Sequence, residues 1–281
     1  MSAAAKAGVG VGVAAHAAGS AGAASAASDL FQAWPAIARR LKAARRIALV
    51  LDFDGTLVPI APRPEEVVLE DATRLVLQRL ARHRRIYLAF LSGRRRADLM
   101  RLLQVKGAHY FGLYGWERDG RFRVRAAEKR VLEALRVELE EKLSGLPGVR
   151  VEDKEFSVAT HYRGAKADVV RRLRKIMEEE GQRAGADFHT TETQCVIELL
   201  THRVRGKGEA MKWLLGTLGK PVLPIYVGTD EVDEGAFAAL GSGGISVHVG
   251  EFAATCARYR VESPRETTEF LLKIDEVVSG S

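Results

Sequence analysis

Two cysteines, Cys195 and Cys256, are the only thiols in 281 residues, and no Cys-x-x-Cys spacing joins them. Their scarcity excludes a disulfide framework and a structural zinc site. It suits a reducing compartment, so a cytoplasmic location is expected, with both thiols packed as small apolar side chains. Long hydrophobic runs are also missing: nothing approaches the roughly 20 strongly apolar residues of a membrane span. Residues 1–28 are almost entirely Ala, Gly, Ser and Val, and the most apolar run there, Val9–Ala15, is diluted by glycine and followed by His16. A secretory signal needs a compact apolar region of about 7 to 15 residues, so 1–28 reads as a disordered tail. A compact basic surface interleaved with aromatics is absent too. The net charge is +7, but the basic residues are scattered along amphipathic stretches such as Arg79–Arg85 and Arg171–Lys175. Solvated helix faces are expected from that pattern, not nucleic-acid contacts.

What is present suits a globular protein of one large domain or two, with 47% hydrophobic and 28% charged residues. Ile47–Leu51 is five consecutive apolar residues that end in Asp52-Phe53-Asp54-Gly55-Thr56. Such a run predicts a strand buried on both faces of a parallel sheet, with its C-terminal edge where open α/β sheets place ligands. A helix over Asp29–Arg45 is expected before it, capped by Ser28 or Asp29. A helix over Ala72–His83, a strand over Ile86–Leu91, a helix over Arg96–Leu103 and a strand around Tyr110–Tyr114 follow, in βαβ rhythm. The character then changes. A short strand over Arg121–Arg125, helices over Val131–Leu143 and Lys166–Glu179, and strands within Val149–Tyr162, Phe188–Thr193 and Cys195–Leu200 suggest an inserted, smaller α+β domain. Parallel rhythm returns with a helix over Gly208–Leu218, a strand over Val222–Val227, a helix over Glu234–Leu240 and a strand over Ile245–Val249. The expected division is a tail at 1–28, a core from 29–118 plus 205–281, and an inserted cap at 119–204.

Asp52 and Asp54 lie two apart on an extended chain, so their side chains point the same way and converge on one small volume. Two carboxylates that close repel each other, and a hard cation such as Mg²⁺ relieves the repulsion. Gly55 permits close backbone approach to an anion, with the amides beyond it as a concave donor set. Three further stations fall at strand ends or helix starts: Ser92-Gly93-Arg94, Lys207-Gly208, and Gly228-Thr229-Asp230-Glu231-Val232-Asp233-Glu234. Alone, Ser92 reads equally as a helix cap, Lys207 as a solvated lysine and the acidic run as a charged helix start.

In that order the four stations resemble the motifs of the haloacid dehalogenase superfamily of phosphatases. Glu152-Asp153-Lys154, followed by His161-Tyr162-Arg163 and by Val196-Ile197-Glu198-Leu199, is similar to the cap of the trehalose-6-phosphate phosphatases. The resemblance implies a Rossmann-like α/β core with an inserted α+β cap. It implies that Asp52 is a nucleophile forming an aspartyl-phosphate, Asp54 the acid and base, and Lys207 a neutralising cation. Ser92 and Gly93, with Gly55 and Thr56, would hold phosphate. Mg²⁺ is the implied cofactor, held by Asp52, Asp54 and the acidic run through Asp230 and Asp233. Glu152, Lys154, Arg163 and Glu198 would bind the sugar, His161 being read as a packed cap residue. The implied partner is a small sugar phosphate, most specifically trehalose 6-phosphate, and a monomer is expected. Another phosphosugar, or a weakened phosphatase acting as a binding module, stays open. Two positions depart from the family pattern: Thr229 replaces the usual first metal carboxylate, and Tyr114-Gly115 replaces the commoner His-Gly pair.

Overall fold

The structure is a computed structural model that describes residues 27–61, 67–118, 125–193, 195–251 and 254–280. Along the chain, β1 (Ser28–Asp29), α1 (Trp34–Ala43), β2 (Ile47–Leu51), α2 (Asp71–Arg82), β3 (Ile86–Leu91), α3 (Arg96–Leu103) and β4 (His109–Phe111) come first. A second group follows: α4 (Ala126–Leu143), β5 (Arg150–Asp153), β6 (Ser157–His161), α5 (Ala167–Ala184), β7 (Phe188–Thr193) and β8 (Val196–Thr201). The chain then returns through α6 (Gly206–Leu218), β9 (Leu223–Gly228), α7 (Glu231–Ala239), β10 (Ile245–Val249), β11 (Tyr259–Val261) and α8 (Pro264–Ser279).

Seven of these strands form a parallel sheet in the order β1-β11-β10-β9-β2-β3-β4. Side chains alternate across a strand, so Leu49 and Leu51 of β2 enter one cluster with Ile37, Leu41, Leu77 and Phe270. Val50 enters the opposite one with Met211, Tyr226 and Phe237. All five β2 residues are buried, which is why the strand reads as an unbroken apolar run. Because β2 lies between β9 and β3, the residues just beyond these three strands share one crevice at the sheet's carboxyl edge.

The insert is a four-stranded antiparallel sheet, β5-β6-β8-β7. Leu132, Leu135 and Leu139 of α4 and Leu173 and Met177 of α5 pack on Val158 and Leu199 of this sheet. It is an α+β layer with its own core.

Strand Ile86–Leu91, helix Arg96–Leu103 and strand Ile245–Val249 fall where periodicity predicts them. Helix α1 starts five residues later than expected, because Pro35 is accommodated only in a first turn and Asp29 accepts the Gln32 amide in a separate turn. The strand expected to run to Tyr114 stops at Phe111, since Leu113 and Tyr114 adopt left-handed φ of 48° and 58°. Most of the tail, residues 1–26, and most of the Arg121–Arg125 strand lie outside the described residues; Ser28 pairs with Tyr259, and Arg125 caps α4. The sequence reading omits β11 and α8, although Ser263-Pro264-x-Glu266 is a helix-start signature that the structure uses, with Ser263 accepting from the Glu266 amide. Among the described residues no helix is long and apolar enough to cross a membrane.

Candidate active site

Asp52 is the first residue beyond β2, and its amide donates to the Val227 carbonyl at 2.9 Å, which fixes its backbone to the neighbouring strand. Lys207 stands in the first turn of α6, which starts at Gly206, two residues ahead of the expected Gly208. Gly208 lets this turn approach α7 closely: a Cβ there would lie 2.8 Å from the Gly235 carbonyl oxygen. The Lys207 Nζ consequently donates to Asp52 Oδ1 and Asp233 Oδ1, both at 2.7 Å. All three side chains are at most 6% exposed, so Lys207 is not a solvated lysine. Burial pushes the Asp52 carboxyl up to about 7 against the pull of Lys207. Burial also opposes the lysine charge, but the Asp233 and Asp52 carboxylates outweigh it and hold the ammonium protonated beyond the ordinary lysine range.

Asp233, expected as a metal carboxylate, is fully buried and is not among the residues lining the cleft. Its Oδ1 accepts from Lys207 and from the Tyr226 hydroxyl at 2.5 Å, and its Oδ2 accepts from the Thr229 and Asp230 amides at 2.9 and 3.0 Å. A carboxylate has about four acceptor positions, and all are taken, so Asp233 anchors Lys207 and the start of α7. Gly55 and Thr56 are corrected as well. The Gly55 amide donates to the Val58 carbonyl and the Thr56 amide to the Phe53 carbonyl, so neither is aimed at an anion. Gly55 instead supplies a φ of 76°, and the Thr56 hydroxyl donates to Asp52 Oδ2 at 3.2 Å. Both shape the turn that presents Asp52.

Ser92 and Gly93 do face the cleft. Ser92 is buried and does not cap α3, whose N-cap is Arg95. Arg94, passed over as a site residue, grips Asp54 with two parallel bonds, Nε to Oδ2 and Nη2 to Oδ1, each 2.7 Å. Asp230 lines the cleft beside Asp52 and accepts the Glu231 amide at 2.6 Å as the α7 cap. Thr229 does not: its hydroxyl donates to the Val249 carbonyl at 2.8 Å, and its methyl sits where a Cβ on Gly55 would fall, 2.7 Å away. Among the described residues no group of three or more His, Cys, Asp or Glu side chains gathers around a point that could hold a metal. Asp52 and Asp230 across one cleft do fit Mg²⁺, which is usually held by one or two carboxylates and keeps several waters.

The cleft encloses about 190 Å³, and its far wall is the insert, which therefore acts as a cap. Glu152, Lys154, Arg163 and Glu198 all line it, together with Asp52, Asp54 and Lys207. The buried Glu198 accepts from Lys154 Nζ at 3.3 Å and from the Ser157 hydroxyl. Arg163 is exposed at the rim and has no hydrogen-bond or ion-pair partner among the described residues. His161 differs from its reading as a packed residue: it faces the cleft, and Nε2 lies 2.5 Å from Glu152 Oε2. Burial opposes the Glu152 charge, but His161 and Lys154 outweigh it and draw the carboxyl down to about 2. Cys195 also lines the cleft, half-buried, and Cys256 is exposed, so neither thiol is a core residue. The cap docks on the core through Arg95, which donates to the Lys154 carbonyl and to Glu155, both at 3.2 Å, and stacks over Phe156. Tyr114 makes a second junction, its hydroxyl donating to Glu198 at 2.8 Å. Sequence reasoning missed Arg94, Arg95 and Tyr114 as site groups; the adjacency of Arg94 to Ser92-Gly93 and the departure of Tyr114-Gly115 from the commoner His-Gly pair were the signals available.

A family model for trehalose-phosphatase matches residues 50–265. Trehalose-phosphate phosphatase of Mycobacterium marinum is 36% identical over 239 residues, covering 80% of this chain and 60% of that protein. The chain thus spans about 60% of the length of the curated relatives it matches. A crystal structure of a trehalose-6-phosphate phosphatase related protein superposes with a TM-score of 0.69 at 26% identity, covering 83% of this chain and 99% of that one. The C-terminal domain of Candida albicans trehalose-6-phosphate phosphatase shares the fold with a TM-score of 0.74 at 22% identity, covering 90% and 98%. The haloacid dehalogenase core with an inserted α+β cap is therefore the fold observed. With its match running from the Asp52 strand through the whole cap to the start of α8, the chain belongs to the trehalose-phosphatase family.

Proposed function

We propose that the chain is a Mg²⁺-dependent phosphatase that converts trehalose 6-phosphate to trehalose and phosphate through an aspartyl-phosphate. The observation that carries this reading is one cleft with the Asp52–Lys207 pair on its floor and the Glu198–Lys154 pair on its ceiling. In the first step an Asp52 oxygen bonds to phosphorus while the phosphorus–oxygen bond to the sugar breaks, and the departing alkoxide takes a proton from Asp54. Asp54 must first shed the Arg94 grip, which occupies both of its oxygens. The substrate's phosphoryl oxygens offer that guanidinium an equivalent bidentate partner. In the second step water attacks the aspartyl-phosphate, Asp54 takes its proton, and Asp52 is released as a carboxylate. Lys207, with Ser92 and the Gly93 segment, holds the phosphoryl oxygens in a dry site where a fixed charge is worth most. Mg²⁺, bound by Asp52, Asp230 and the Asp54 carbonyl, would supply further charge neutralisation. Glu152, Lys154, Glu198 and Arg163 recognise the sugar from the cap. We read 29–118 plus 205–281 as the core and 119–204 as the cap of a cytoplasmic monomer.

A second reading, a weakened phosphatase serving as a sugar-phosphate-binding module, draws on Thr229, whose hydroxyl turns away from the cleft to Val249. One assay separates the two. Phosphate release is followed across trehalose 6-phosphate, sucrose phosphate and glycosyl-phosphoglycerates while Mg²⁺ is titrated, for wild type and Thr229→Asp. Turnover of trehalose 6-phosphate by wild type at millimolar Mg²⁺ is expected, with half-saturation at lower Mg²⁺ in the variant. Activity only in Thr229→Asp would favour the binding module, and a different best substrate would replace the sugar assignment.

A further inference from the structure

The turn after β4 carries three consecutive residues with positive φ: Leu113 at 48°, Tyr114 at 58° and Gly115 at 92°. For residues other than glycine that conformation is uncommon and persists where surrounding contacts fix it. Here the contacts come from the phosphate loop. The Leu113 amide donates to the Arg94 carbonyl at 2.9 Å, and the Tyr114 amide donates to the Ser92 carbonyl at 2.8 Å. The Tyr114 ring lies against Gly93 so closely that a Cβ on Gly93 would fall 2.9 Å from a ring carbon. The ring is thus registered on Ser92-Gly93 by backbone and side chain alike, and its hydroxyl crosses to the cap.

There it meets a carboxylate that is almost full. Glu198 is 1% exposed. It accepts from Ser157 at Oε1 and from Tyr114 and Lys154 at Oε2. Three of its roughly four acceptor positions are therefore occupied by this chain, leaving one for a ligand hydroxyl. Burial and the neighbouring Glu198 hold the Tyr114 phenol well above its ordinary range, so it stays a donor at every working pH.

We infer that Tyr114 is a positioning residue for substrate specificity, aiming the last free acceptor of Glu198 at the sugar and tying that aim to the Ser92-Gly93 phosphate loop. This rests on the phosphatase reading above and adds a residue that recognises neither phosphate nor sugar directly. The consequence is selective. A substrate that uses both walls of the cleft depends on Tyr114, whereas a small aryl phosphate that fills only the floor does not.

The test compares wild type, Tyr114→Phe, Glu198→Gln and the double variant on the best sugar phosphate of the panel and on p-nitrophenyl phosphate. Tyr114→Phe is expected to raise KM for the sugar phosphate about tenfold, the loss typical of one hydrogen bond to a charged group. Values for p-nitrophenyl phosphate and the melting temperature should stay at wild type. In the Glu198→Gln background the same substitution should have little further effect. Equal losses on both substrates, or full additivity with Glu198→Gln, would overturn the inference. If p-nitrophenyl phosphate is cleaved but no sugar phosphate is, the sugar assignment fails by itself. Tyr114 is then judged by hydrogen exchange: added inorganic phosphate should slow the amides of 196–201 in wild type and not in Tyr114→Phe. The same response in both would overturn it.

Discussion

The floor and the ceiling of the cleft are built to different standards. On the floor, Asp52, Lys207 and Asp233 are at most 6% exposed, and two 2.7 Å bonds join them. Asp52 directly follows a central parallel strand and is tied to the next one through its amide, and Lys207 and Asp233 stand on two helices pressed together at Gly208 and Gly235. On the ceiling Glu198 is equally buried, but the Glu152 side chain is 35% exposed, His161 19% and Lys154 13%, and Glu152 lies on β5, an edge strand of a four-stranded sheet. The charges that would act on phosphorus are thus fixed before any ligand arrives, in surroundings that strengthen them. The groups that would read the sugar sit on a small separate layer, and Arg95 and Tyr114 of the core align it. Removing the floor cation should therefore damage chemistry and stability together, whereas losing a ceiling side chain should weaken binding more than it weakens the fold.

The strongest attempt to break that contrast is Asp52→Asn. Phosphate release should fall below detection on every substrate while circular dichroism and melting stay near wild type, since asparagine keeps the shape of the side chain and Lys207 keeps Asp233. Retained turnover would remove Asp52 as nucleophile. Lys207→Ala should cost about 10²- to 10³-fold in kcat, the scale of losing a preorganised charge. It should also destabilise the fold by about 3–5 kcal/mol in urea unfolding, because two buried carboxylates lose their cation. A variant that lost activity but no stability would mean that the pair positions substrate without supporting the core.

The parts of this design that were legible in the sequence are the parts set locally. The apolar run Ile47–Leu51 declared a doubly buried strand, and Asp52, Asp54 and Lys207 followed from motif order. Sequence could not reveal which way a donor points. Asp233 looked like a metal carboxylate until α7 was found to begin at Glu231, which turns Asp233 inward onto two amides, a tyrosine and a lysine. The amides of Gly55 and Thr56 looked free until the turn closed on Val58 and Phe53. The grip of Arg94 on Asp54 spans 40 residues, and that of Tyr114 on Glu198 spans 84. Such pairs depend on tertiary approach, and no local period encodes them. Helix α8 is a different matter: its capping residues and the spacing of Phe270, Ile274 and Val278 were there to be read.

On the ceiling, Lys154→Ala should raise KM for the sugar phosphate about tenfold or more, since charged hydrogen bonds are each worth about 1.5–3 kcal/mol. The kcat on p-nitrophenyl phosphate should hardly move, and the unfolding midpoint should fall by less than in Lys207→Ala, because the buried Glu198 loses one 3.3 Å bond and keeps Tyr114 and Ser157 as donors. A comparable loss on both substrates would show that the cap lysine serves the chemistry and would erase the contrast between the two walls.

The smallest effect concerns how far the exposed cap pair contributes to the fold. The Glu152 carboxyl is drawn down to about 2 in the folded chain. In the unfolded chain it returns to about 4.3, the ordinary value for glutamate. A group with a depressed folded value adds stability that is fully present above the unfolded value and disappears as the pH falls towards the folded one. The urea midpoint of wild type should therefore exceed that of Glu152→Gln by its full amount near pH 5, with the gap narrowing between about pH 4 and pH 2. Because the side chain is 35% exposed, solvent screening keeps this gap small. A gap that persisted unchanged to pH 2 would assign the difference to shape or packing. A large gap, comparable with that of Lys207→Ala, would mean that the cap is as firmly prearranged as the floor, with alignment through Arg95 and Tyr114 reduced to a minor part.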